Sequence, residues 1–192
     1  MASPEPAIGL PVTAEPDAFR RGPARPPSPG GRLAPACVAF PGVAVVSGSA
    51  SLAPNATGVF TLTAPDAAGT YAYEAGGAAA RWQIPMGLFG ALVVDGAPSD
   101  EVVVLSELDP ALNSSPDPSS FDFRQLKPTY WLANGRTFDG TDPARSRIGA
   151  TAGGSTLTIH YLNAGLQEHT LELIGAQQTV VAADGFRLAA AD

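Results

Sequence analysis

The chain carries one cysteine, Cys37, in 192 residues. An internal disulfide framework is excluded, and the plain reading of Cys37 is a packed apolar thiol. Only two histidines, His160 and His169, are present, too few to complete a zinc site alone. Basic residues are scarce: eleven Lys and Arg against eighteen Asp and Glu leave a net charge of −7. Without a basic stripe the long-range field repels polyphosphate, so nucleic acid is not an expected partner. No apolar run approaches the ~20 residues that cross a bilayer, so no membrane partner is expected either. Residues 1–17 lack a basic start followed by an apolar run and do not read as a signal peptide, which leaves the compartment open. A G-x-S-x-G elbow and a Gly-Lys-Ser/Thr phosphate loop are both missing. Neither Ser106 nor Ser155 has a base nearby in the sequence, so no nucleophile constellation is visible.

What the chain does have is glycine (21) and proline (19), about a fifth of all residues. Both disfavour helix interiors, so the expected class is all-β. Residues 1–35 are proline-rich and read as an extended or disordered lead-in. From Cys37 the pattern is strand, loop, strand: CVAFPGVAVV, the turn-rich SGSASLAPNATG, then VFTLTA with Phe60 and Leu62 on one face. TYAYE puts Tyr71 and Tyr73 on one face, and GLFGALVV and VVVLSEL read as further apolar strands. Residues 109–128, rich in Pro, Ser and Asp, read as a linker. Beyond it lie YWLANG with an Asn-Gly turn, then STLTIHYLN, HTLELIG and QTVVAADG as strands, the last ending at Asp184-Gly185. The expected organisation is a first β unit at 36–108 and a second at 129–192. About four strands are few for a closed sandwich, so the second unit is expected to be incomplete.

These residues, taken in order, resemble the multicopper oxidase family, whose domains are cupredoxin-like (plastocyanin-like) Greek-key β-sandwiches. GTYAYEAGG with PMGLFGALVV is similar to closing strands of the family's first domain. VVVLSELDPALN resembles the segment leaving that domain, and PTYWLANGRTFDGTDP with GGSTLTIHYLNAGLQEHTLELIGAQQTVVAADG resembles the entry into the second. The resemblance implies a copper-dependent oxidoreductase that reduces dioxygen. It also implies copper held by His-x-His pairs, one of which would fall at Glu74 and Gly76.

Those two residues cannot act as a pair of imidazoles, because copper is selected by nitrogen and sulfur donors. Glu74 then reads as a polar strand-end residue. Cys37, Met86, His160 and His169 together match the ligand types of a blue-copper site, but they are scattered over both units, and Met86 reads as a core position in a strand. His160 and His169 flank the turn NAGLQE. If their strands pair as a hairpin they approach each other, with Glu168 or Glu172 as supplements; otherwise one is a surface residue and the other is packed and hydrogen-bonded. The expectation is therefore no catalytic, cofactor or metal residue in this chain alone, with copper belonging to the family it resembles. Partners would be the missing cupredoxin domains or a second copy through β edges. A non-catalytic structural or interaction module is the alternative function.

Overall fold

The computed structural model describes residues 8–13, 35–49, 51–53, 56–94, 100–142, 152–184 and 186–189. The strands are β1 (Ile8–Thr13), β2 (Cys37–Ala39), β3 (Ala44–Ser47), β4 (Thr57–Thr63), β5 (Gly69–Gly76), β6 (Phe89–Val94), β7 (Glu101–Leu108), β8 (Tyr130–Ala133), β9 (Ile159–Asn163), β10 (Ala182–Ala183) and β11 (Phe186–Arg187). They form three three-stranded sheets, β1-β4-β3, β2-β5-β6 and β8-β7-β9, and the hairpin β10-β11. Among the described residues helix is confined to α1 (Ala80–Gln83), α2 (Pro110–Asn113) and three short 3-10 turns. Among the described residues no helix is long and apolar enough to cross a membrane.

The alternation in β4 decides how the first two sheets meet. Phe60 and Leu62 are each 2% exposed whereas Val59 is 63% exposed, as a period of two requires when one face is covered. They join Phe40, Val43 and Leu52 in a buried cluster, with Tyr71, Tyr73 and Leu92 packed against it. Phe40 tilts against Phe60 with ring centroids 5.2 Å apart. CVAFPGVAVV does not run as one strand: Pro41 and Gly42, the latter at φ 77°, turn the chain between β2 and β3. This break lets the two strands join different sheets. β6 is half-buried along most of its length rather than covered on both faces.

Two departures from the expected organisation are instructive. The lead-in contains a strand: β1 pairs antiparallel with β4, Leu10 opposite Phe60 and Pro11 opposite Val59. Proline is tolerated there because β1 lies at the edge of its sheet. The rest of residues 1–34 lies outside the described residues. At the other end, HTLELIG and most of QTVVAADG form no strand, and only Ala182–Ala183 pairs. Alternation there finds no neighbouring edge, and Ile174 is left 95% exposed.

β7, grouped by sequence with the first unit, is hydrogen-bonded in the third sheet, antiparallel to β8 and parallel to β9. The Asn134-Gly135 turn after β8 has both residues at positive φ, as an Asn-Gly turn predicts. Asn134 also bonds β7: its Nδ2 donates to the Val102 carbonyl at 2.9 Å and its Oδ1 accepts from the Val104 amide at 2.8 Å.

The segment 109–128 is built on three aspartates. Asp109, Asp117 and Asp122 each accept a hydrogen bond from the amide two residues on, starting α2 and two 3-10 turns. This is the capping geometry that makes Asp favourable before a helical turn, and Pro at the next position suits the first two. Hydrogen bonds from Ser119 and Ser120 hold the Asp117 carboxyl below its ordinary pKa, and the Arg124 guanidinium does the same for Asp122. Leu112 anchors the segment, fully buried.

Gly90 lies opposite Tyr73 across the β5–β6 ladder, and the tyrosine ring occupies the space a Cβ at Gly90 would need. Replacing Gly90 by Ala must displace a ring that packs against the core. Gly90→Ala is expected to cost about 1–3 kcal/mol, read as a lower denaturation midpoint. An unchanged midpoint would show that the ring is not held there.

Candidate functional site

The copper-ligand positions of the resemblance fall at the end of β5. Glu74 pairs with Ala39 on β2 and Phe89 on β6, and Gly76 pairs with Cys37. Gly76 has ordinary extended backbone, φ −109° and ψ 174°, so conformation does not require glycine. Packing favours it: a Cβ at Gly76 would lie 3.3 Å from the Ala39 Cβ and 3.7 Å from the Cys37 Cβ. The donor set at these two positions therefore does not fit a copper ion, since Glu74 offers only a carboxylate and Gly76 no side chain at all. Met86 is half-buried in the turn that follows α1, not in β6, which begins at Phe89.

The two histidines do not meet. β9 runs parallel to β7, with His160 opposite Val102. His169 bonds to Glu107, farther along the same strand. Val102 and Glu107 are separated by roughly 16 Å of extended chain, so each imidazole serves a different carboxylate. Glu168 and Glu172 are both exposed. Among the described residues no group of three or more His, Cys, Asp or Glu could hold a metal ion.

His160 is part-buried and uses both ring nitrogens. Nδ1 lies 2.7 Å from Thr70 Oγ1 on β5, and Nε2 lies 3.2 Å from Asp100 Oδ2 at the start of β7. One tautomer satisfies both contacts, with Nε2–H donating to the carboxylate and the threonine hydroxyl donating to Nδ1. Hydroxyl, imidazole and carboxylate are the groups of a nucleophilic triad. Here they join β5 to β7 and β9, and none of the three lines the cavity beside Glu107. Sequence reading missed Thr70 and Asp100, because nothing in their spacing links them to His160.

Glu107, on β7 in the third sheet, accepts three hydrogen bonds. It is 8% exposed, its Oε2 accepts from the Leu166 amide at 2.9 Å and its Oε1 from the Gln167 amide at 2.9 Å. His169 Nε2 donates to Oε1 at 3.3 Å. The turn it grips is shaped by Asn163, whose Oδ1 accepts from the Gly165 amide at 2.9 Å and whose Nδ2 donates to the Gln167 carbonyl at 2.7 Å. Gly165 is required: the Glu107 carboxylate stands where its Cβ would be. The L-N-A-G motif is thus a turn built to receive a buried carboxylate.

No protein-family model matches the chain, and no curated protein matches it. Solved structures do. A copper nitrite reductase from Nitrosomonas europaea superposes with a TM-score of 0.52 at 17% identity, covering 84% of this chain and 54% of that one. A blue copper oxidase from the same organism gives 0.51 at 17% identity, covering 71% and 46%. The fold is cupredoxin-like. The chain spans about half the length of these structures. In this cupredoxin-like frame Glu74 and Gly76 close β5, and His160 and His169 hydrogen-bond to side chains of neighbouring elements.

Glu107→Ala removes the acceptor for two amides and one imidazole. It is expected to cost about 1–3 kcal/mol and to accelerate hydrogen exchange at Leu166 and Gln167. Exchange at those two amides left as slow as in the parent protein would contradict the assignment.

Proposed function

We propose that this chain is part of a multicopper-oxidase-like protein, a cupredoxin scaffold related to copper-dependent oxidoreductases that supplies no copper ligands itself. The observation that carries this reading is the end of β5, where Gly76 packs against β2 with Ala39 3.3 Å from a would-be Cβ. The neighbours, a copper nitrite reductase and a blue copper oxidase by name, support the kinship through shared fold. The division into units at 36–108 and 129–192 belongs to the same proposal, and so does copper chemistry residing in other cupredoxin domains of the assembled protein.

A second reading, a non-catalytic interaction module, is favoured by the surface after β7. Phe138, Leu166, Ile174, Val180 and Val181 are all more than half exposed, and the segment carrying the last three forms only the two-residue strand β10. An exposed apolar segment beside a short strand edge is a surface on which further β-strands add. Further cupredoxin polypeptide, or a second copy of this chain, is the partner the two readings share.

Copper loading followed by desalting and metal analysis tests the leading proposal. The expected result is copper well below one per chain and no intense blue absorption. Near one copper per chain with a strong visible band would overturn it.

A further inference from the structure

The Asn134-Gly135 turn sits at the end of the short β7–β8 ladder, in which residues 105–108 pair with residues 130–133. β8 is an edge strand, and both turn residues are exposed. The turn is closed by two hydrogen bonds, from the Arg136 amide to the Ala133 carbonyl at 3.1 Å and from the Ala133 amide to the Arg136 carbonyl at 2.9 Å. Among the described residues the Gly135 amide itself donates to no acceptor.

An Asn-Gly pair in such a turn carries its own reaction. The Gly135 nitrogen is unhindered, because no Cβ follows it, and it can attack the Asn134 side-chain carbonyl carbon. The Gly135 nitrogen–Cγ bond forms, the Cγ–Nδ2 bond breaks, and ammonia leaves with the proton of the Gly135 amide. Water then opens the cyclic imide at Cγ, giving aspartate, or at the Asn134 backbone carbonyl carbon, giving an isoaspartyl link with a longer main chain. Water is the sole co-reactant, and nothing is oxidised or reduced.

The contacts with β7 oppose this reaction in the folded chain. Asn134 Nδ2 donates to the Val102 carbonyl at 2.9 Å, and Oδ1 accepts from the Val104 amide at 2.8 Å. Both ends of the side-chain amide are committed, so Cγ cannot turn toward Gly135, nor Nδ2 depart, until they are released. The end of a short edge ladder opens at a lower free energy than the whole domain.

We propose that Asn134 is a self-modification site gated by β7: its amide is hydrolysed through Gly135 when the end of β8 opens, and the product cannot refasten the strand. Aspartate at 134 keeps an acceptor for the Val104 amide but loses the donor to Val102 and sets a carboxylate oxygen against a carbonyl oxygen. An isoaspartyl link also lengthens a turn whose residue count fixes the register of Ala133 against Leu105. Either product loosens the third sheet, and neither needs an enzyme. The inference goes beyond the copper reading and does not rest on it.

The test is incubation of the full chain at neutral pH, beside a synthetic peptide of residues 130–139, with peptide mapping for a gain of about one dalton at position 134. Conversion in the folded chain is expected to be at least about tenfold slower than in the peptide, and to quicken at least about threefold in urea below the unfolding midpoint. Leu132→Ala removes a buried β8 side chain and is expected to quicken it likewise; the urea series on the parent chain decides the matter where that variant fails to fold. Asn134→Asp, the simpler product, is expected to unfold at a lower denaturant concentration than the parent. Conversion as fast as in the peptide, no conversion at 134 in urea, or a rate indifferent to urea would overturn the proposal. So would an Asn134→Asp chain that unfolds at the parent midpoint.

Discussion

The third sheet and the turns around it depend on β7. It is the middle strand of its sheet, antiparallel to β8 on one side and parallel to β9 on the other. Such a strand normally needs helical cover and long crossovers to hold a parallel neighbour. Here side chains do much of that work. Asn134 reaches back along β7 from the turn after β8, Glu107 seizes the turn after β9, and Asp109 fastens α2 and the Lys127 amide at the strand's end. Each carboxylate bonds backbone N–H groups, which are among the stronger hydrogen bonds a protein makes.

A polar framework of this kind holds the third sheet, while apolar packing holds the first two. The first two sheets are held by apolar packing around Phe40, Phe60 and Leu62. The third is joined to them through His160, between Thr70 on β5 and Asp100 ahead of β7. The histidines that sequence offers as ligands are thus spent on structure.

Much of this was legible in the sequence where local chemistry and tertiary packing agree. The alternation of β4, the paired tyrosines of β5 and the Asn134-Gly135 turn each follow from periods and turn propensities. IGLPVT also alternates, with Ile8, Leu10 and Val12 in register, but Pro11 and the proline-rich surroundings masked a strand that an edge position tolerates. HTLELIG failed in the opposite sense: its alternation is real, but a strand needs an edge to pair with, and pairing is a tertiary fact. Glu107 and Ser106 were read as a serine without a base. The role of Glu107 depends on Leu166, Gln167 and His169, about sixty residues away, a distance no local pattern spans.

The central claim is that the end of β5 is packed as scaffold, not as a vacated ligand site. The direct measurement is thermal unfolding of the Glu74→His/Gly76→His variant before and after copper loading, with Glu74→His alone as the control. The account predicts that the double variant unfolds at a lower temperature than the control, because a side chain at 76 presses on Ala39 and Cys37, and that copper does not restore it. Unfolding at the control temperature together with near one copper per chain would contradict it.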